Sequence, residues 1–232
     1  MERIDKIISN QTGYSRKDVK ELIKQRRVII DGEFITKSDI KIEPLEHSIM
    51  IDNQILEFKK YVYLVLNKPK GYVSATYDNN DKTVLDLVPE EYKHRNLFPA
   101  GRLDKDTTGL MIITDDGKFA HEILSPNKHV KKEYNVTIDI PINDDMIKGF
   151  RDGVMLNDGE CKTSLLDKTG NYTGIVTLTE GRYHQIKRMF GCFGAKVLEL
   201  ERIKMGSFEL PSDLELGKTR ELTEEELNKI QE

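Results

Sequence analysis

The chain has 232 residues, of which 38% are hydrophobic and 33% are charged, a composition typical of a soluble protein with a packed core. No apolar run approaches the roughly 20 residues that cross a bilayer, and residues 1–5 lack the apolar core of a secretion signal. The two cysteines, Cys161 and Cys192, lack the paired spacing of a zinc site and are predicted to be reduced thiols. These features argue against membrane-spanning and secreted classes and predict a cytoplasmic protein that contacts no membrane.

Basic residues are concentrated in two segments, although the net charge of the whole chain is -4. Those of the first segment are Arg16, Lys17, Lys20, Lys24, Arg26 and Arg27. Those of the second are Arg182, Lys187, Arg188, Lys196, Arg202 and Lys204. A local basic face is what phosphate binding requires. For either segment alone, the alternative is the solvated face of a helix.

The first sixty or so residues predict two short helices. Apolar residues at helical spacing indicate a helix over 3–9. Ser15, with Asp18 at the matching position of a capping box, predicts the start of a second helix that runs to about Gln25. The outward face of this helix would carry Arg16, Lys17, Lys20 and Lys24.

A small sheet is predicted after these helices. Asp31-Gly32 separates the apolar runs 28–30 and 33–35, which is a strong signal for a β-hairpin. A last strand over 48–52 closes the unit, and a short charged connector over 57–60 follows. The sequence therefore predicts a compact N-terminal domain over residues 1–58, with the helices and sheet of an RNA-binding module.

The remaining residues, 59–232, predict a larger domain in which strands outnumber helices. Strands are predicted over residues 61–66, 110–114, 134–140, 174–179 and 196–203. Helices are predicted over residues 118–124, 144–151, 184–192 and 223–230. Because strands and helices do not alternate regularly, the pattern favours an α+β fold with a mixed, mainly antiparallel sheet flanked by helices.

The densest cluster of reactive side chains is the segment 101–110, which reads GRLDKDTTGL. It is polar, bounded by glycines, and lies just before an apolar strand, where a rigid scaffold can present a reactive carboxylate. Asp104 and Asp106 with the cations around them indicate a charge network. On composition alone, an ordinary turn with local salt bridges is the alternative.

A second segment with candidate functional residues is 180–189, which reads EGRYHQIKRM and opens a predicted helix at His184. Its cations Arg182, Lys187 and Arg188 are suited either to binding phosphate or to pairing with a carboxylate. An amphipathic surface helix is the alternative.

A third segment, 131–134, reads KKEY at the start of a predicted strand. Taken alone, Tyr134 is either a core residue or a platform on which an RNA base stacks, since every base offers a π-face.

Residues 1–55 resemble the S4 RNA-binding domain. The matching positions are Arg3-Ile4-Asp5, Ser15-Arg16, Arg27-Val28 and Asp31-Gly32. This resemblance implies that the N-terminal domain docks RNA through its basic face. The contacts would come from Arg16, Lys17, Lys20, Arg26 and Arg27.

Four ordered motifs resemble those of the RsuA-type pseudouridine synthase family, and the similarity runs from about residue 3 to residue 227. The motifs are KPKG at 68–71, GRLDKDTTGL at 101–110, KEY at 132–134 and HQIK at 184–187. Gly101 before Arg102 is typical of the branch that pairs an S4 domain with a ribosomal-RNA-modifying domain. The wording GRYHQ over 181–185 is closer to the small-subunit (16S) enzymes than to the large-subunit ones. Lys187 stands where many relatives have arginine, and Thr108 where many have serine.

The family resemblance implies a role for each motif residue. Asp104 would be the nucleophile or base, Tyr134 the stacking residue, and Lys187 the cation that pairs with Asp104. Arg102 would enter the space vacated by a flipped base or grip a flanking phosphate. The remaining RNA contacts implied in this domain are Lys68, Arg182, His184, Gln185 and Arg188.

The resemblance also implies the activity, which is isomerisation of a specific uridine in ribosomal RNA to pseudouridine, with 16S RNA and its uridine-516 type of site as the expected target. The reaction transfers no electrons and no group between molecules, so neither cofactor nor metal is expected. The partner would be ribosomal RNA or a partly assembled small ribosomal subunit, and the protein is expected to be a monomer.

Three other functions fit parts of the sequence. One is a synthase that acts on large-subunit (23S) RNA, and another is a non-catalytic RNA-binding assembly factor. The third is a metal-dependent hydrolase in which Asp104, Asp106, Asp115 and Asp116 bind Mg²⁺. Against the hydrolase, residues 115–117 have the composition of a turn after a strand, and neighbouring carboxylates at a strand end face different ways.

Overall fold

The computed structural model describes residues 1–125, 128 and 130–232, which form two compact units. The N-terminal unit comprises Met1–Val62 and Val88–Leu97, and the larger unit comprises Tyr63–Leu87 and Phe98–Glu232. The N-terminal unit thus includes a second stretch, Val88–Leu97, that the predicted domain over 1–58 does not contain. Among the described residues, no helix has both the length and the apolar composition needed to cross a membrane.

The N-terminal unit contains two helices and two small sheets. Its elements are β1 (Glu2–Arg3), α1 (Ile4–Thr12), α2 (Arg16–Lys24), β2 (Val28–Ile30), β3 (Glu33–Phe34), β4 (Lys41–Ile42), β5 (Ile49–Ile51), β6 (Gln54–Ile55) and a 3-10 helix (Glu90–Tyr92). Strand β1 pairs with β4, and a second sheet has the order β3-β2-β5-β6. Apolar residues of α1, α2, β2 and β5 form one buried core.

Local sequence signals explain the boundaries of this unit. The side chain of Ser15 accepts a hydrogen bond from the backbone N–H of Asp18, whose carboxylate accepts one from the N–H of Ser15, so the predicted capping box is confirmed. The predicted hairpin is confirmed as well, because β2 and β3 pair across Asp31 and Gly32. Both turn residues have positive φ, 50° and 86°, as a two-residue hairpin turn of the favoured type requires.

The larger unit contains one nine-stranded sheet and a separate pair of short strands. Its strands are β7 (Tyr63–Lys68), β8 (Phe98–Ala100), β9 (Thr108–Thr114), β10 (Lys132–Ile138), β11 (Met155–Leu156), β12 (Gly159–Glu160), β13 (Leu165–Lys168), β14 (Thr173–Leu178), β15 (Val197–Met205), β16 (Phe208–Glu209) and β17 (Thr219–Glu221). The helices are α3 (Gly117–Leu124), α4 (Asp144–Asp152), α5 (Gln185–Gly191), α6 (Glu224–Gln231) and a 3-10 helix (Val84–Leu87). The main strand order is β13-β14-β10-β15-β9-β7-β17, while β8 pairs with β9, β16 with β15, and β11 with β12.

The sheet is antiparallel except where β9 and β15 run parallel at its centre. At this pairing Gly109 has φ +96°, and a Cβ there would lie 2.3 Å from the carbonyl oxygen of Arg202. Glycine is therefore required for the two backbones to approach this closely. The predicted α+β fold with a mixed, mainly antiparallel sheet is confirmed for this unit.

Helices flank the sheet and bury apolar side chains. Phe119 and Ile123 of α3 and Ile230 of α6 share a core with Val65 of β7 and Ile112 of β9. Each of α3, α4 and α6 begins at a side-chain cap of the expected type. The capping residues are Asp116, Asn143 and Thr223. The four helices predicted in this unit are present within one residue of their predicted ends.

Candidate active site

The segment 101–107 connects β8 to β9 and is held in place by several contacts. Gly101 begins it with φ +99°, a conformation that favours glycine. The backbone N–H of Leu103 donates to the hydroxyl of Ser74 at 2.9 Å, and that hydroxyl donates to the carbonyl of Leu103 at 2.7 Å. The N–H of Thr107 donates to the carbonyl of Asp104 at 3.1 Å, which closes a turn. The Asp104 carboxyl therefore stands on a fixed loop.

Lys68, at the end of β7, ties this loop to the sheet from inside. Its side chain is 0% exposed. Its ammonium donates to the carbonyls of Pro69, Asp104, Lys105 and Thr107 at distances from 2.8 to 3.3 Å. Burial lowers the pKa of Lys68 to about 8. The RNA contact predicted at Lys68 is therefore wrong, because an ammonium enclosed by four carbonyls has no access to RNA.

Lys187 in α5 joins the two carboxyl groups of the loop. Its ammonium lies 3.0 Å from Oδ2 of Asp104 and 2.6 Å from Oδ1 of Asp106. Partial burial alone would lower the pKa of Lys187, but the bonds to Asp106 and Asp104 outweigh it and raise the pKa. Partial burial alone would raise the pKa of Asp106, but the bond from Lys187 outweighs it and lowers the pKa. Lys187 is thus a cation that faces Asp104, as the family resemblance implied.

His184 stands at the start of α5 on the other side of Asp104. Its Nε2 lies 3.5 Å from Oδ1 of Asp104, and its ring stacks on Tyr183 with centroids 3.9 Å apart. His184 has φ 47°, an uncommon backbone conformation for a residue other than glycine. The side chain of the next residue, Gln185, is buried and accepts a hydrogen bond from the backbone N–H of Arg182 at 2.9 Å. These contacts determine where α5 begins and hence where Lys187 stands.

A cavity of about 630 Å³ opens beside Asp104, within the size range of small-molecule sites. Asp104, Lys187 and Tyr134 all line it, so the three residues predicted to be catalytic are brought together. Tyr134 is buried in β10, directly opposite Arg202 of β15 in the antiparallel register.

Sequence reasoning missed part of the cavity. Arg202 and Lys132 are both buried and line it, whereas the sequence placed Arg202 only in a surface basic segment and Lys132 only in the KEY motif, with no role of its own. The available signal is the alternation along β10, where Lys132 occupies the same face as Tyr134. Ser74, which holds the loop through Leu103, lies outside every motif identified in the sequence.

The predicted RNA-binding cations of this unit differ in their surroundings. Arg102 is exposed at the cavity and, among the described residues, has no hydrogen bond or ion pair. Arg182 donates to the carbonyls of the hairpin residues Gly159 and Glu160. Arg188 pairs with Asp158. Arg102 is consequently the most available of these three cations for an RNA phosphate.

The predicted RNA-binding cations of the N-terminal unit are exposed. These residues are Arg16, Lys17, Lys20, Arg26 and Arg27. Arg27 donates two hydrogen bonds to the carboxylate of Asp52, both of 2.6 Å. Within the described residues, none of the other four belongs to an ion pair or donates a side-chain hydrogen bond.

The carboxylates of the hydrolase alternative are not assembled as a metal site. Asp116 caps α3 and accepts a hydrogen bond from the hydroxyl of Tyr63 at 2.7 Å, whereas Asp104 and Asp106 face Lys187. In the described part of the chain, no three His, Cys, Asp or Glu side chains are grouped so that they could hold a metal ion.

Comparison with known proteins identifies the family to which a chain with this site belongs. The family model described as RNA pseudouridylate synthase matches residues 62–191. Ribosomal small subunit pseudouridine synthase A of Escherichia coli (strain K12) is 41% identical, over 98% of this chain and 99% of that protein. An uncharacterized RNA pseudouridine synthase of Bacillus subtilis (strain 168), YtzG, is 39% identical, over 99% of this chain and 98% of that protein.

A solved structure supports the same relationship. A protein described as pseudouridylate synthase superimposes with a TM-score of 0.70 at 34% identity, covering 99% of this chain and 100% of that one. The chain therefore belongs to the RNA pseudouridine synthases, a family of isomerases. Within that family its near-full-length relatives place it in the RsuA type.

Proposed function

We propose that this enzyme converts one uridine of small-subunit ribosomal RNA, at the uridine-516 type of site in 16S RNA, to pseudouridine, with Asp104 as nucleophile or base. The proposal rests on one observation: the Asp104 carboxyl group, which lies 3.0 Å from the ammonium of Lys187, lines the same cavity as Tyr134. The relatives named for the small ribosomal subunit support the choice of target.

The isomerisation needs a carboxylate, a cavity and a way to hold a detached base. The N1–C1′ bond of uridine breaks, the uracil turns, C5 bonds to C1′, and the proton on C5 is released while N1 takes up a proton. Asp104 either forms a bond to the sugar or removes the proton on C2′, while Lys187 orients its carboxyl group. Tyr134 stacks on the uracil. A base inside a helix is out of reach, so the target is unpaired or flipped out, and Arg102 takes the vacated space or grips the flanking phosphate.

We further propose that residues 1–58 form an S4-type RNA-binding domain and that residues 59–232 carry the catalysis. The exposed cations of α2, together with Arg26, supply a phosphate-binding face. His184, Gln185 and Arg182 line the catalytic cavity, and Arg188 follows Lys187 in α5; these four residues are the further RNA contacts that we propose. The enzyme acts as a cytoplasmic monomer on ribosomal RNA or on a partly assembled small subunit.

The target is tested by mapping pseudouridines in ribosomal RNA from cells with and without the gene. Carbodiimide labelling followed by primer extension is expected to show the loss of one modification in small-subunit RNA, restored by the wild-type gene. Loss of a modification in large-subunit RNA instead would refute the proposed target, and an unchanged map in both RNAs would contradict the proposed function.

The basic face is tested by reversing two of its charges. Lys17→Glu/Lys20→Glu is expected to raise KM and leave kcat unchanged. The slope of the logarithm of the RNA-binding constant against the logarithm of the salt concentration should become less steep by roughly 1.5, because two phosphate contacts are lost. Lys37→Glu/Lys41→Glu is the matched control, since these lysines are also exposed in the N-terminal unit. An equal rise in KM for both pairs would argue against a specific docking face.

A further inference from the structure

Two buried cations form the floor of the cavity. Arg202 is 2% exposed and Lys132 is 7% exposed. Nε of Arg202 donates to the carbonyl of Leu110 at 2.7 Å, but its Nη2 has no partner. The ammonium of Lys132 donates to the carbonyl of Val130 at 3.0 Å. Across the residues that the structure describes, neither cation pairs with a carboxylate.

Both cations lie next to the proposed stacking residue. Tyr134 is directly opposite Arg202 across the β10–β15 pair, where side chains stand roughly 5 Å apart at Cβ. Lys132 is two residues before Tyr134, on the same face of β10. The cations therefore border the space in which a stacked uracil would lie.

Two buried cations side by side are unfavourable in free energy when no anion is present. A buried ammonium or guanidinium is strongly disfavoured unless it is paired. Here the two cations also repel each other, since burial and then the charge of Arg202 lower the pKa of Lys132 to about 8. A folded protein that keeps both is suited to receiving a negative charge at this point.

The reaction itself supplies a negative charge inside this cavity. When the N1–C1′ bond breaks, its electron pair leaves with the uracil, which becomes an anion with charge spread over N1, O2 and O4. If Asp104 attacks C1′, its oxygen bonds to that carbon and the carboxylate charge is lost. If Asp104 takes the C2′ proton, it becomes neutral and a C1′=C2′ double bond forms. By either route, one negative charge moves from Asp104 to the base.

We propose that Lys132 and Arg202 stabilise the uracil anion formed after N1–C1′ cleavage. This inference rests on the proposed function and adds two residues to the reaction. An RNA phosphate is the other anion that could meet these cations. The base is favoured because the cations are buried beside Tyr134 and share the floor with Leu178 and Leu200, whereas Arg102 is exposed.

The test uses an RNA fragment that the wild-type protein modifies, carrying either uridine or 5-fluorouridine at the target. Fluorine stabilises the uracil anion, so cleavage of the N1–C1′ bond of 5-fluorouridine should depend less on Lys132 and Arg202. With uridine, Arg202→Gln and Lys132→Gln are each expected to slow single-turnover base rearrangement at saturating RNA about 100-fold, the scale of losing one oxyanion donor. With 5-fluorouridine the loss should be about tenfold smaller. The Kd for RNA should stay within about twofold of wild type, and Arg202→Lys should restore part of the rate.

The matched control is Lys131→Gln, which removes an exposed lysine beside Lys132 and should leave all these values unchanged. Thermal melting checks folding, and if Arg202→Gln does not fold, Lys132→Gln carries the test. Equal rate losses with both bases, or no loss, would overturn the proposal. A raised Kd with a weaker salt dependence and unchanged saturated rate would assign the floor to a phosphate. A wild-type protein that modifies no ribosomal RNA would instead refute the proposed function itself.

Discussion

Asp104→Asn is expected to abolish pseudouridine formation, with a loss of about 10⁴-fold or more, the scale on which removal of a catalytic nucleophile acts. An amide neither attacks a sugar carbon nor accepts a proton at neutral pH. Folding should survive, because the Asp104 side chain is 24% exposed and Lys187 keeps Asp106 as a partner at 2.6 Å. The measurement is release of tritium from C5 of labelled uridine in RNA, together with thermal melting.

Asp106→Asn is the matched control for this variant. Asp106 also contacts Lys187, but its side chain is 68% exposed and Lys187 would still face Asp104 at 3.0 Å. We expect its rate to stay within about tenfold of wild type, because the loss is one exposed ion pair. If Asp106→Asn were the more damaging substitution, or if Asp104→Asn kept its activity, Asp104 would not be the reacting group.

The family resemblance, and not the residue pattern by itself, implied which residues of the separate motifs meet. Asp104 and Lys187 were expected to form an ion pair, and the structure brings their charged atoms to 3.0 Å. Tyr134 lines the same cavity. Positions so far apart in sequence meet because the parallel pairing of β9 and β15 brings the loop before β9 to the same sheet region as β10, the other neighbour of β15.

Burial is what the sequence pattern does not reveal. Lys68 has the charge of an RNA-binding residue, but it lies at the end of a strand whose neighbours are buried on both faces, so its ammonium is enclosed by backbone carbonyls. For the same reason the sequence did not predict that Arg202 and Lys132 lie inside the cavity. Charged residues are almost never fully buried, so composition places all three at the surface, and only tertiary structure identifies the exceptions.

Short and edge elements were also missed. Strand β8 contains Pro99, and strand β13 ends in Asp167 and Lys168, so neither has the alternating apolar pattern of a predicted strand. Both form because a neighbouring strand supplies hydrogen-bond partners, β9 for the first and β14 for the second. For β8 the consequence is functional, because it delivers the chain to Gly101 at the start of the catalytic loop.

Lys68→Met is expected to damage both stability and activity, although Lys68 does not line the cavity. The substitution removes the donor shared by four carbonyls of the loop and its neighbours. Leaving buried acceptors unsatisfied costs about 3 kcal/mol in the free energy of unfolding. For a protein of this size that is a fall in Tm of roughly 6–12 °C. The rate at saturating RNA should fall as well, because the loop that carries Asp104 loses its support.

Lys70→Met is the matched control, since Lys70 is exposed and, among the residues that the structure describes, pairs with Glu199 alone. Its effect on the free energy of unfolding should be within about 1 kcal/mol. An equally small effect of Lys68→Met would show that the loop does not depend on the buried ammonium.

The pH dependence of unfolding separates the buried ammonium from a simple packing defect. The pKa of Lys68 falls from its model-compound value of 10.5 in the unfolded chain to about 8 in the folded protein, so between these pH values the unfolded state binds the extra proton. Stability contributed by this group therefore rises with pH across that window. Urea unfolding at pH 7.5 and pH 9.5 (about half a unit below and 1.5 units above that folded value) should show the difference between wild type and Lys68→Met widening at the higher pH. A constant difference would mean that the charge of Lys68 is not penalised in the folded state, and that the four carbonyl oxygens fully replace its lost hydration.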